Sequence, residues 1–498
     1  MDRVPQDARV ALTQPPTAVA THFPTPLPGL HVGRRIRLVL APAGELESWR
    51  PDVVLRPADV TGSPDADGTT EAAAAMATPT AGFGAVVRNR RFMALWMAQI
   101  GSLLAANMAL YALTLVTFAT GGGSTAVSIL FLSFLAPAVL LSAPAGVIVD
   151  RFDRRSLLIV TNLIRAAAFA AIVLAGGQLP LTYLLVIVAA TATTFFIPAE
   201  AAMIPRVASA EQLMPANGLF TFTLQAAFAL GFAVLGPLSV AIAGPTATIG
   251  LAALLYVIAA ALCWPLPSAR PAASETHHDA RAEFAEGIAV IRRDPRVRWP
   301  LALLGFTASL IGVVGVLGPQ VAVTQLGLTE KEFVLLVLPM AVGLVLGVMA
   351  LGPLTRRLSN RRLAEIGLAG MAVGLAALAL LRPLADLLGP LPNPQLMLAM
   401  PIALAMGAAY AMVSVPALTG LQQALPDAVR GRVFAVLNML VNAASALPIL
   451  LVGPAADALG VPMVVAACAV ATGVLLVSSV FAVEPSGGRE PGLAVTAG

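Results

Sequence analysis

Gly146-Val147-Ile148-Val149-Asp150-Arg151-Phe152-Asp153-Arg154-Arg155 lies between two apolar runs and reads G-x-x-x-D-R-x-x-R-R. A degraded copy runs from Gly352 to Arg361-Arg362 in the second half of the chain. In such a stretch the glycine lets two helices approach closely, and the acid can pair with the first arginine. The last two arginines hold the loop on the cytoplasmic side of a membrane. A short basic turn set between long apolar segments, and repeated, therefore predicts a membrane protein built from two related halves.

Composition agrees. Apolar residues make up 58% of the 498 positions and charged residues 11%, against about 25% charge in soluble domains. The net charge of +4 does not argue for nucleic acid, because nearly all the arginine flanks apolar runs, where it sets membrane orientation. Cys263 and Cys468 each fall inside an apolar run and read as buried thiols, not as a disulfide. No metal-ligand spacing occurs: the one histidine pair, His277-His278, sits in a charged loop. No G-x-x-x-x-G-K-[ST] loop is present either, so neither a cofactor nor ATP drive is expected.

Residues 1–87 are rich in proline, threonine, alanine and glycine and lack apolar periodicity apart from Ile36–Leu40. They read either as a disordered cytoplasmic tail or as an upstream extension of a chain whose natural start is Met76. From Phe92 onward, apolar runs of roughly 20 residues follow one another, the length that crosses ~30 Å of hydrocarbon. Helices are expected near 92–119, 125–149, 157–177, 181–204, 219–243 and 246–266, then 299–323, 332–355, 362–385, 395–423, 433–456 and 460–482. In lipid the backbone must satisfy itself, which leaves helices as the only reading of such runs. Nineteen of the 23 basic residues after position 87 fall on one side of this arrangement, and the opposite loops hold only Lys331 and Arg382. The asymmetry places both termini in the cytoplasm. The predicted organisation is a six-helix bundle over 88–266, a cytoplasmic connection over 267–298, a second bundle over 299–484 and a short polar tail over 485–498. Phe284, Ile288 and Ile291 are spaced as one face of a surface helix within the connection.

The motif, its half-repeat and its place between spans 2 and 3 resemble the signature loop of the major facilitator superfamily (MFS). Local features are similar to its drug and siderophore exporter branch, the macrolide-efflux and enterobactin-exporter-like members. These are Pro198-Ala199 through Ile204-Pro205 to Ala216-Asn217-Gly218, Glu286-Gly287-Ile288 followed by Arg292-Arg293-Asp294-Pro295, and Arg430-Gly431-Arg432-Val433-Phe434. Gly231 and Gly236-Pro237 in span 5 resemble the antiporter motif of that branch, with Ser239-Val240 where Gly-Gly usually follows. The resemblance implies an all-α fold of twelve transmembrane helices in two pseudo-symmetric six-helix bundles. It also implies that the signature loop is a gate: Gly146, Asp150, Arg151, Arg154 and Arg155 on one side, with Arg432 at the start of span 11 on the other. Asp150 is then expected to latch onto Arg432 and the positive helix terminus beside it.

Within the spans charge is sparse. Arg165 lies in span 3, where a charge usually has a partner or a cavity; structural pairing and cavity lining are both open. Glu200, near the cytoplasmic end of span 4, is either a proton-coupling acid or the partner of Arg206. Asp386 and Asp457 fall at outer helix ends and read as solvated. Where exporters of the branch carry Gly-Asp in span 1, this chain has Ala106-Asn107, and Asn107 cannot exchange a proton. Asn107, Tyr111, Gln225, Gln320, Tyr410, Asn438 and Asn442 together suggest a mildly polar, nearly uncharged central cavity, suited to bulky amphipathic solutes. The expectation is a proton-coupled exporter of amphipathic small molecules such as drugs or siderophores. It would act as a monomer in the plasma (inner) membrane, with small molecule, proton and bilayer as its partners and no nucleic acid. The nearest rival is a lipid or lysolipid flippase. A membrane-embedded enzyme or scaffold is a third class, and the spans lack the histidine or acid pair that an intramembrane hydrolase needs.

Overall fold

In the computed structural model the described residues are 83–268, 295–389, 391–424 and 427–481, and among them every regular element is helical. The predicted surface helix over Phe284–Ile291 and both chain termini lie outside them, as do the side chains of Gln225, Arg432 and Asn438. The long helices are α1 (Arg90–Thr117), α2 (Gly123–Val149), α3 (Arg154–Leu174), α4 (Leu179–Val207), α5 (Leu213–Leu230, continuing through Gly231–Leu235 into Gly236–Ala243) and α6 (Pro245–Cys263). The second half holds α7 (Pro295–Thr324), α8 (Val334–Leu354), α9 (Asn360–Ala379), α10 (Pro394–Ala424), α11 (Asp427–Leu459) and α12 (Val461–Phe481).

α1 and α2 form one apolar helical run of 53 residues, Arg90–Ser142. At 1.5 Å per residue it would reach about 80 Å, far beyond the ~30 Å of hydrocarbon, so it crosses twice. The reversal occurs where Gly121 (φ 91) and Gly123 (φ 58) take left-handed conformations open to glycine. With the ten other apolar helices of 19–31 residues, the described residues contain the twelve expected spans. The largest shifts of a start are at α5 and α11, which begin at Leu213 and Asp427, where 219 and 433 were expected. The expected 362–385 span is in two pieces: Leu380 leaves helical geometry, and a short helix, Leu381–Asp386, follows. Pro383 accounts for the break, because it lacks an N–H and its ring collides with the carbonyl four residues back, that of Ala379.

Local capping starts the helices. Asn89 accepts from the Arg91 and Phe92 amides and donates to the Val207 carbonyl at 2.7 Å, tying the start of α1 to the end of α4. In the signature loop Asp153 caps α3 by accepting the Ser156 amide at 3.0 Å. In the degraded copy Ser359 caps α9 through the Arg362 amide at 3.3 Å. Both copies thus do the same local job, each starting the third helix of its half.

In the first half α3 packs on α4 and α6, and in the second α9 packs on α10 and α12. The halves meet along α2 with α11 and α5 with α8. Their apolar clusters show where. Near the signature loop, Phe92, Leu95, Val149, Leu158 and Met203 form a core entirely within the first half. At the opposite end, where α1 gives way to α2, the core around Tyr111, Leu113 and Ile172 takes in Phe333 and Val337 of the second half. The two ends are called the loop end and the far end below.

Candidate functional site

α5 departs from α-helical geometry at Gly231–Leu235, a single π turn. Pro237 explains its place, since it offers no N–H to the Ala233 carbonyl and a wider turn absorbs the mismatch. The two glycines of the antiporter-like motif bracket that turn and press against α1. A Cβ on Gly231 would stand 2.6 Å from the Asn107 Cβ, and one on Gly236 would stand 2.9 Å from the Tyr111 Cβ. The structure therefore joins Gly231 with Asn107 and Gly236 with Tyr111 in one contact. Asn107 is half-buried, with its amide nitrogen donating to the Leu103 carbonyl at 2.8 Å. Tyr111 is fully buried between the edge of Phe232 (ring centroids 5.5 Å) and a parallel stack with Phe333 from the other half (6.0 Å). Its hydroxyl has no hydrogen-bond partner among the described residues. Tyr111 thus closes the far end instead of lining an open cavity.

The other polar candidates are dispersed. Tyr410 and Asn442 are half-buried in the second half, while Gln225 and Asn438 have side chains outside the described residues. Gln320 is half-buried, and its amide donates to Asp457 at 3.3 Å at the far end. Asp457, expected to be merely solvated, accepts hydrogen bonds from the first turn of α2 in the other half. A separate apolar cavity of about 540 Å³ lies between α7, α11 and α12, with Phe306, Ser309, Leu310, Val441 and Ala444 among its walls.

Inside the first half is a polar cluster that the spacing only hinted at. Arg165 is 2% exposed. Its Nη2 donates to Asn162 Oδ1 at 2.8 Å, and that oxygen also accepts from Ser102 at 2.9 Å. The guanidinium carbon lies 4.2 Å from the ring centre of Phe196 and 4.7 Å from that of Tyr256, distances at which cation–π attraction is strong in a desolvated site. Structural pairing is therefore the observed state of Arg165. Glu200 is 7% exposed and near enough to Arg165 to feel its charge, without forming an ion pair with it. Its Oε1 has no hydrogen-bond partner among the described residues. The alternative pairing with Arg206 is not seen. Six residues along a helix turn two side chains about 120° apart, which leaves Arg206 exposed and Glu200 facing inward. Asn162, one turn before Arg165 on α3, was the available signal for this cluster.

At the loop end Asp150 is exposed and pairs with Arg154 at 3.5 Å, not with Arg151. Arg155 lies over Trp264 at 5.6 Å, and Asp153 also accepts from Ser268 at 3.0 Å. A Cβ on Gly146 would meet no described atom within 4 Å, so the close helix approach expected there does not occur. The Arg432 side chain lies outside the described residues.

The sequence model of the Major Facilitator Superfamily matches residues 95–448, from α1 into α11. The chain belongs to this superfamily. It is 30% identical over 269 residues to the lysophospholipid transporter LplT of Yersinia enterocolitica, covering 52% of this chain and 64% of that one. To the multidrug efflux pump Tap of Mycolicibacterium fortuitum it is 26% identical over 360 residues, covering 68% and 82%. Among solved structures, the nucleoside transporter NupG superposes with a TM-score of 0.61 at 12% identity over 78% of this chain and 98% of that one, a likeness of fold alone. A multi-pass membrane protein of this superfamily is thus what the geometry belongs to.

Proposed function

We propose that this protein is a secondary active exporter of amphipathic small molecules, driven by proton exchange and working by alternating access with its loop end toward the cytoplasm. The observation that carries the reading is Glu200: a carboxylate almost wholly buried in α4, with one oxygen unpartnered and Arg165 as its counter-charge. An acid so placed gains or loses a proton according to whether the arginine faces it, which is what coupling requires. Asn107, where related exporters carry an acid, leaves Glu200 to serve as the proton carrier. The similarity to Tap supports efflux, and the basic loops support the orientation. The test is substrate-induced proton movement in inverted membrane vesicles. Adding an amphipathic dye should release protons from energised vesicles holding the native protein, and Glu200→Gln should abolish the release while dye binding persists. Release that survives Glu200→Gln removes the proposed carrier.

A second reading, lysolipid flipping, is favoured by the match to LplT and by the apolar cavity between α7, α11 and α12. Movement of a fluorescent lysolipid across reconstituted vesicles, unaffected by the dye, would select it.

A further inference from the structure

α2 begins without a cap of its own. Its N-cap position is Gly122, which has no side chain to receive the first amides of the helix, and bare first-turn amides need some partner. The partner comes from the other half. Asp457, near the end of α11, accepts the Ser124 amide at 3.1 Å through Oδ1. Its Oδ2 accepts the Thr125 amide at 2.9 Å and the Thr125 hydroxyl at 2.6 Å. Gln320 of α7 donates to Oδ1 and accepts from the Ser124 hydroxyl. One turn further in, the Gly453 amide of α11 donates to Ser128 of α2 at 3.1 Å. The seat is shaped for a bare backbone, since a Cβ on Gly123 would stand 2.9 Å from Asp457 Oδ1.

The contact has a counterpart in the sequence. α2 and α11 run side by side. The acid near the end of α11 holds the first turn of α2, while the acid just past the end of α2, Asp150, belongs to the loop end, where α11 starts. In the structure the far-end contact is made and Asp150 is turned to Arg154 of its own loop. We infer that Asp457 is a gating residue: it clasps the uncapped start of α2 while the transporter is open at the loop end, and releases it when the far end opens. Asp150 and Asp457 are then alternating clasps at the two ends of one helix pair. The inference rests on the alternating-access reading, and its test needs no substrate.

The measurement is thiol labelling from the far side of right-side-out vesicles. A Cys263→Ala/Cys468→Ala background carries one reporter, Thr117→Cys, at a fully buried position at the far end of α1. Asp457→Asn keeps the size and removes the charge, and it should raise the labelling rate by about tenfold, the shift that 1.4 kcal/mol brings. Asp457→Glu should fall nearer the native rate. Labelling within twofold of native in a correctly inserted Asp457→Asn protein overturns the inference. Where that variant fails to insert, a Thr125→Cys/Asp457→Cys pair decides. Cross-linking it should hold the reporter unlabelled until a reductant is added, and labelling that continues in the cross-linked protein shows that the far end opens without releasing this contact. A rise in labelling with no proton-driven efflux would leave the clasp standing and remove the exporter reading.

Discussion

Replacing Arg165 by methionine keeps much of the side chain's length and removes its charge. Three losses follow from the structure. The 2.8 Å bond to Asn162 goes, worth about 1.5–3 kcal/mol for a charged donor. The contacts over Phe196 and Tyr256 go, worth about 2 kcal/mol in a desolvated site. Glu200 also loses the nearby positive charge that offsets its burial, although no direct ion pair is broken. These terms overlap, so about 3–5 kcal/mol is expected for Arg165→Met. Glu200→Gln alone should cost less, since Arg165 keeps Asn162 and both rings. In the double variant no stranded charge remains, and about 1–3 kcal/mol of the arginine's loss should return. A double-mutant cycle on denaturant unfolding of the detergent-solubilised protein reads these numbers. Fully additive costs, or an Arg165→Met protein within 0.5 kcal/mol of native, would refute the pairing.

Gly236→Ala forces a Cβ to within 2.9 Å of the Tyr111 Cβ and 3.2 Å of its Cγ; overpacking of this kind costs about 1–3 kcal/mol, and the added cost of Gly236→Ala should fall in a Tyr111→Gly background, where both atoms are gone, if α1 is what it strikes. Asp150→Asn and Arg432→Ala should each slow transport without harming insertion, and the double variant should be no worse than either; fully additive rates would separate the two residues. Glu332 accepts the Thr329 amide at 2.8 Å and the Thr329 hydroxyl at 3.0 Å, and these bonds hold its carboxyl below the usual range. A depressed carboxyl stabilises above its ordinary value of about 4.3 and loses that effect as pH falls through the lowered one. Hydrogen exchange over 329–333 should therefore accelerate, beyond its intrinsic pH dependence, only below about pH 4, and Glu332→Gln should abolish the step.

The spans were legible because length and apolarity are local properties; the caps at Asp153 and Ser359 emerged only from the structure. The antiporter-like glycines were legible as a motif, but their partners on α1 were not, since a π turn set by Pro237 decides which face they present. Asp457 was read as solvated because nothing near it in sequence needs an acid; the need lies at the start of α2, where Gly122 leaves Ser124 and Thr125 uncapped. Gln320 binds the same carboxylate, a partner that nothing near it in sequence announces. Gly146 was read as a close-approach site, yet in a structure whose shared cores lie at the far end its surroundings are open. Arg165 was legible as costly, and only packing showed that Asn162 and two rings meet that cost.

The central claim is efflux energised by a proton gradient. An efflux-deficient host expressing the native protein should accumulate less of an amphipathic dye than the same host expressing Glu200→Gln, and a protonophore should bring the two to the same level. Equal accumulation in both strains before the protonophore is added, or a difference that survives it, would contradict the account.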